Sequence, residues 1–253
     1  MKTAIIIPAR YASSRLPGKP LLRQTGKYLV EHVYEQACQA RRASIVVVAT
    51  DDSRIATAVR SFGGRVAMTR RDHATGTDRV AEVARTLDVD IVVNLQGDEP
   101  LVDPDSLDLL AELLERDPGA DMATLAVPLP SVEAYHNPNC VKAVVDANGR
   151  ALYFSRSPVP FVRDGAPDFS ARPARFLQHL GLYAYRKNFL LELATLPPQP
   201  LEKLEKLEQL RVLALGRPIL VGTIERSGIG VDTYEDYEQF VRVHREMRAS
   251  KAA

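Results

Sequence analysis

The 253-residue sequence has no tryptophan, only two cysteines, and almost no charge imbalance, with 33 basic side chains against 32 acidic ones for a formal net charge of +1. Each scarcity excludes a class of function. Cys38 and Cys140 fit no zinc spacing, and two cysteines make no disulfide framework, so a reducing cytoplasmic setting is expected. A net charge near zero gives no overall pull on nucleic acid or on an anionic bilayer, and any anion must be gathered by a local arrangement. No apolar run approaches the roughly 18 residues of a membrane-crossing helix, and no secretory leader is read before the first apolar segment. Neither nucleic acid nor membrane is therefore expected as a partner. Apolar content of 45% with 26% charged residues is that of a globular chain with ample core.

What is present is concentrated near the amino terminus. Ala4-Ile-Ile-Ile7 is a short, mostly β-branched run, the pattern of a strand buried on both faces in a parallel sheet. Pro8 ends it, and Pro17, Gly18 and Pro20 keep the next stretch from continuing as strand or helix, yet that stretch carries Arg10, Arg15 and Lys19. A buried strand feeding a loop of cations and small residues describes a polyanion site at the carboxyl end of an open α/β sheet. Ala12, Ser13, Ser14 and Gly18 let the backbone approach closely, and its N–H groups can form an anion-binding nest. The loop is neither a Walker A motif nor a Gly-x-Gly-x-x-Gly fingerprint, so a phosphate chain would be held in another way.

Strand and helix patterns alternate through the first half. Helices are expected at residues 28–40, 53–62, 77–87 and 107–114, with strands at 44–49, 65–68, 90–95 and 122–127. This is repeated β-α-β, hence a Rossmann-like α/β fold with a doubly wound, mainly parallel sheet. The rhythm then changes. Residues 141–145 and 151–154 flank Asp146-Ala-Asn-Gly149, a hairpin signal, and residues 158–173 read as a mobile loop rich in proline, glycine and charge. A strand at 177–185, a helix at 203–213, a short strand at 219–221 and a closing helix at 234–247 complete the chain. The expectation is one domain over residues 1–253 with an antiparallel subdomain inserted at about 128–185.

A second buried strand, Ile91 to Leu95, runs into Gln96-Gly97-Asp98-Glu99-Pro100. Because parallel strands point one way, these carboxylates share the sheet end that bears the cationic loop. A nucleotide arrives with magnesium, a hard cation that takes one or two carboxylates plus phosphate oxygens. Asp232, in Gly228-Ile-Gly-Val-Asp-Thr233, is the plausible second carboxylate, although it could equally cap the helix that follows.

Pro8-Ala9-Arg10-Tyr11-Ala12-Ser13-Ser14-Arg15-Leu16-Pro17-Gly18-Lys19-Pro20 resembles the signature of the sugar-activating nucleotidylyltransferases, within them the branch that joins CMP to an eight-carbon sugar acid. Gln96-Gly97-Asp98-Glu99-Pro100 and Gly230-Val231-Asp232-Thr233 resemble that family's metal-binding segments, and Thr69 to Arg79 its central loop against the nucleotide, with Thr75 where serine is expected. Ala151-Leu-Tyr-Phe-Ser-Arg156, His179-Leu-Gly-Leu-Tyr183 and Pro200-Leu-Glu-Lys-Leu-Glu-Lys-Leu-Glu-Gln-Leu-Arg-Val-Leu213 are similar to its sugar-pocket segments. The resemblance implies Arg10, Lys19 and Asp98 as catalytic residues, and Pro8, Ala9, Arg10, Ser13, Arg15, Lys19, Thr75, Gly76, Gln96 and Asp98 around CTP. It further implies Arg156, His179, Tyr183, Glu208 and Gln209 around the sugar acid, and Asp98 and Asp232 on Mg2+. The implied reaction is magnesium-dependent transfer of CMP from CTP to 3-deoxy-manno-octulosonate, releasing pyrophosphate and supplying lipopolysaccharide biosynthesis, by a homodimer. A nine-carbon or 8-amino sugar acid as acceptor, or a nucleotide-binding module without catalysis, are the alternatives.

Overall fold

Thr3–Pro8 is buried along its whole length and forms β1. It is followed by α1 (Leu29–Ala37), β2 (Ala43–Thr50), α2 (Ser53–Ser61), β3 (Val66–Met68), α3 (Gly76–Arg85) and β4 (Ile91–Asn94) in the computed structural model, which describes residues 1–12 and 16–252. All pairings among these strands are parallel, in the order β3-β2-β1-β4, with Ile5 opposite Val46 on one side and Val93 on the other. Buried neighbours on both edges are what the unbroken Ile-Ile-Ile run requires. The strands and helices stand where the periodicity places them, shifted by up to three residues at their ends. Asp52 caps α2 by accepting a hydrogen bond from the Arg54 amide at 2.9 Å. The loop after Pro8 departs from expectation in one respect: Lys19–Leu21 closes a single 3-10 turn, with Pro20 in the first turn, where a missing N–H costs nothing.

The chain divides into two compact units, one of Met1–Asp108 with Gly228–Ala253 and one of Leu109–Ser227. The boundary falls inside α4 (Pro104–Arg116). The second unit holds β5 (Met122–Pro128), α5 (Val132–His136), β6 (Lys142–Val145), β7 (Ala151–Ser155), β8 (Leu177–Arg186), α6 (Lys187–Leu193), α7 (Pro200–Glu205), α8 (Gln209–Ala214) and β9 (Ile219–Thr223). Here β5 lies between antiparallel β8 and parallel β9, while β6 pairs antiparallel with β7 and β8. The sequence reading began the insertion near residue 128. The second compact unit begins at Leu109, and within it β5 is bonded to the antiparallel β8 on one side and to the parallel β9 on the other. Asp146 closes the β6–β7 hairpin, its carboxylate accepting from the amides of Asn148 and Arg150, both at 2.8 Å.

One further expectation, the helix at 203–213, is corrected. The helix read over residues 203–213 is broken into α7 and α8, with Lys206 between them in the left-handed region at φ 54°. The segment 158–173, read as mobile, seats Val162 and Phe169 on a buried cluster of Leu129, Tyr135 and Phe176, and the Tyr135 hydroxyl donates to the Pro160 carbonyl at 2.8 Å. Apolar anchors spaced too widely to show a period hold it.

In the first unit the closing helix α9 (Tyr234–Ala252) packs Tyr237, Phe240 and Val241 with Leu29 of α1 and with Val231. That cluster fixes the segment carrying Asp232. Among the described residues no helix is long and apolar enough to cross a membrane.

Candidate active site

The site of the first unit is built where β1 and β4 end. Gly97 follows β4 at a point where a Cβ would stand 2.9 Å from the Pro8 carbonyl oxygen, so only glycine lets the two strand ends approach this closely. At Gly76, beginning α3, a Cβ would meet the Pro8 ring at 3.5 Å and the Gln96 side-chain oxygen at 3.9 Å. Pro8, Gly76 and Gln96 thus form one small-walled corner, as the sequence reading grouped them. The Ala9 amide donates to the Ala49 carbonyl at 2.9 Å, holding the chain to β2 as it leaves β1.

Lys19 is the centre of charge. Its side chain is buried, and its ammonium donates to Asp98 Oδ2 at 2.6 Å and to the Val231 carbonyl at 2.7 Å, with Asp232 Oδ1 at 3.4 Å. The Val231 amide donates to the Asp98 carbonyl at 2.8 Å, so the two acidic segments are stitched together through their backbones. Asp232 does not cap α9. Thr233 and Asp236 do, the Thr233 hydroxyl accepting from the Asp236 amide and the Asp236 carboxylate accepting from the Asp232 and Thr233 amides at 3.0 and 2.8 Å. The Asp232 carboxylate is turned to Lys19 instead.

Glu99, which the sequence reading noted beside Asp98 but gave no role, joins this cluster. Burial, and then the charges of Asp98 and Asp232, push its carboxyl up to about 7, with Lys19 acting in the opposite direction. Burial is the larger cause and the neighbouring carboxylates the smaller. Asp98 and Asp232, two hard oxygen donors already converging on one ammonium, fit a hard divalent cation of the kind that takes one or two carboxylates and completes its shell with water and phosphate oxygens.

Arg10 points elsewhere than Lys19. Its guanidinium donates to the carbonyls of His73 at 3.1 Å and Ala74 at 3.4 Å. The 69–75 loop is in turn pinned by a contact between His73 and Glu82, and by Arg79, a fully buried cation that reaches the Thr69 hydroxyl and lies 3.3 Å from Asp51. Thr75 spends its hydroxyl on the helix, accepting from the Asp78 amide at 3.2 Å while Asp78 accepts from the Thr75 amide at 3.0 Å. The extra methyl relative to serine leaves that cap intact. Ser13 and Arg15 lie outside the described residues.

The second unit gathers the sequence-derived sugar-pocket residues. On a straight strand, residues four apart are about 13 Å apart. β8 is bulged, with Thr124 opposite Tyr183 and Leu125 opposite Leu180, and the His179 and Tyr183 rings come to 5.5 Å. The Tyr183 hydroxyl donates to Gln209 Oε1 at 3.3 Å, and Gln209 Nε2 lies 3.5 Å from His179 Nδ1. Burial lowers the His179 imidazole to about 3, so it stays neutral. Burial first, then the charge of Glu208, raises the Tyr183 phenol. Arg156 is more committed than expected: its guanidinium donates to the carbonyls of Glu205 at 2.6 Å, Pro138 at 2.9 Å and Lys206 at 3.4 Å, clasping the break between α7 and α8. Glu205 accepts from the Ser155 hydroxyl and the Arg156 amide. Thr124, wholly buried and bonded to His179, was missed, although a hydroxyl inside the apolar run Met122 to Val127 was a visible signal.

The cytidylyltransferase sequence profile matches residues 4–219, and the chain belongs to that family, an enzyme of the nucleotidyltransferase class. Its relatives include two proteins named 3-deoxy-manno-octulosonate cytidylyltransferase. That of Syntrophotalea carbinolica is 53% identical over 98% of this chain and 99% of its own, and that of Syntrophobacter fumaroxidans 54% identical over 96% and 97%. The fold is similar to the solved structure of a CMP:2-keto-3-deoxy-manno-octonic acid synthetase complexed with CTP, at a TM-score of 0.91 and 44% identity over 98% of this chain and all of that one.

Proposed function

We propose that this chain transfers CMP from CTP to the anomeric hydroxyl of 3-deoxy-manno-octulosonate, releasing pyrophosphate and supplying lipopolysaccharide synthesis. The observation that carries the reading is the match, above 50% identity and end to end, to enzymes of that name. The hydroxyl oxygen attacks the α-phosphorus in line as the bond to the bridging oxygen breaks, and the hydroxyl proton is lost. There is no covalent enzyme intermediate, so the work is positioning and charge. The corner of Pro8, Ala9, Gly76 and Gln96 would receive the nucleoside, with Ser13, Arg15 and Thr75 beside it. Arg10 and Lys19 would answer the charge of the triphosphate and of the departing pyrophosphate. Asp98 and Asp232 would hold Mg2+. When bound, the metal supplies positive charge to phosphate oxygens and eases ionisation of the attacking hydroxyl.

Tyr183, Glu208 and Gln209 would meet the hydroxyls of the sugar, with His179 behind them, its two ring nitrogens bonded to Thr124 and Gln209. The two N–H groups of Arg156 beyond those bonded to Glu205, Pro138 and Lys206 would take its carboxylate. The enzyme would work in the cytoplasm as a homodimer. Leu152, 61% exposed on β7, and Leu204, 79% exposed on α7, are apolar surface that a second copy could cover. Light scattering at micromolar concentration should give twice the chain mass, and a monomer would contradict that part. The function is tested by pyrophosphate release from CTP and Mg2+ with a panel of eight- and nine-carbon sugar acids. Turnover with 3-deoxy-manno-octulosonate well above the rest is expected, and release that does not depend on the acid would overturn the reading.

A further inference from the structure

The hydroxyl of Thr124 has one proton and three neighbours: the Leu182 carbonyl at 2.8 Å, the Leu180 carbonyl at 3.2 Å and His179 Nε2 at 2.9 Å. An oxygen at 2.8 Å from a carbonyl oxygen needs a proton between them, or two sets of lone pairs face each other. The carbonyls belong to the bulged stretch of β8, where the register skips two residues and the ladder is interrupted. The Thr124 proton therefore goes to the backbone, and the same oxygen can only accept from His179.

That single constraint propagates. His179 must carry its proton on Nε2, leaving a lone pair on Nδ1. The lone pair needs a donor, which is the Gln209 amide nitrogen at 3.5 Å, so Gln209 presents its oxygen to the Tyr183 hydroxyl at 3.3 Å. Tyr183 thus gives its proton to Gln209 and shows a ligand lone pairs only. Thr124, His179 and Gln209 are each buried, and Phe154 packs edge-on to the imidazole with centroids 4.9 Å apart, so the ring cannot turn over cheaply.

We propose that Thr124 is a positioning residue that fixes the tautomer of His179 and, through Gln209, makes Tyr183 a hydrogen-bond acceptor for a donor hydroxyl of the sugar acid. Its link to substrate rests on the sugar-pocket reading above. The tautomer does not.

Long-range proton–nitrogen NMR of the ligand-free protein reads the tautomer directly. Wild type should show His179 Nε2 protonated and Nδ1 bare, and a proton on Nδ1 would overturn the relay whatever the substrate. In Thr124→Val the protonated-Nε2 signature should be lost, and KM for 3-deoxy-manno-octulosonate should rise about 3- to 10-fold, the worth of one neutral hydrogen bond. KM for CTP should hold, and Thr124→Ser should restore both readings. A changed tautomer with an unchanged sugar KM would overturn the connection to substrate while leaving the relay standing, and an unchanged Thr124→Val tautomer would overturn Thr124 as its cause. Should the valine variant not fold, the wild-type spectrum decides the tautomer and Thr124→Ser decides the rest: unaltered kinetics with a retained signature support the proposal, and a lost signature contradicts it.

Discussion

The ammonium of Lys19 lies 2.6 Å from Asp98 Oδ2, joining the loop after β1 to the loop after β4. Parallel neighbours end on the same side, and with Gly97 against the Pro8 carbonyl the two loops meet. Asp232 then enters from the segment held by α9, completing a cation between two carboxylates. Under the proposed function the same arrangement would offer positive charge to a triphosphate and oxygen ligands to a divalent ion.

Lys19→Ala and Asp98→Ala should each lower turnover on the order of 100- to 1000-fold, the usual effect of losing one preorganised charge contact. Pyrophosphate release by the purified variants checks this, and near-normal rates would remove both residues from the mechanism.

Gly97→Ala tests the approach of the strand ends. Its Cβ would press on backbone, the Pro8 carbonyl at 2.9 Å, which cannot swing aside as a side chain would. A loss of about 1–3 kcal/mol in denaturant unfolding is expected, with a fall in kcat as Asp98 is displaced. A variant as stable and active as the parent would show that this contact does not position the site.

Acid should weaken the fold through two buried imidazoles. His32 is held down to about 4 by burial and by His244, and His179 to about 3 by burial. Unfolded, each titrates near 6.5 and binds the proton that the folded form refuses. Stability is therefore complete above pH 6.5 and is lost as pH falls toward 4 for His32 and toward 3 for His179, by up to about 1.4 kcal/mol per pH unit for each. Urea titrations from pH 7.5 to 4 should show a shallower loss in His179→Gln than in wild type, and parallel curves would contradict the assignment.

The break between α7 and α8 is held by Glu202 and Arg211, a buried pair with Nη2–Oε1 at 2.5 Å and Nε–Oε2 at 2.8 Å. Removing one partner strands the other charge, so Glu202→Ala should cost about 3–5 kcal/mol. It should also raise KM for the sugar acid by loosening Gln209, and unchanged unfolding would refute the role.

The parallel core was legible because Ile5–Ile7, Val46–Val48 and Ile91–Val93 repeat one signal, an apolar run too short for a helix between helical periods. Lys19 with Asp98 was legible because parallel strands share an end. Asp232 was a candidate from its place after two glycines, but its pairing with Asp98 came through resemblance, since spacing cannot pair distant segments, and its rival role as a cap vanished once Thr233 and Asp236 were seen to close α9. The α7–α8 break was hidden because Pro200 to Leu213 keeps helical periodicity across Lys206, while the bonds of Arg156 and Arg211 that span the break are tertiary. Thr124 and Glu99 were hidden for another reason: their roles lie in neighbours that a strand bulge and a fold-back bring close.

A crystal structure of the protein soaked with CTP and Mg2+ tests the central claim most directly. The metal should be bound by carboxylate oxygens of Asp98 and Asp232, with the triphosphate beside Arg10 and Lys19 and the nucleoside in the corner of Pro8, Gly76 and Gln96. Nucleotide bound away from β1 and β4, or a metal that touches neither aspartate, would contradict it.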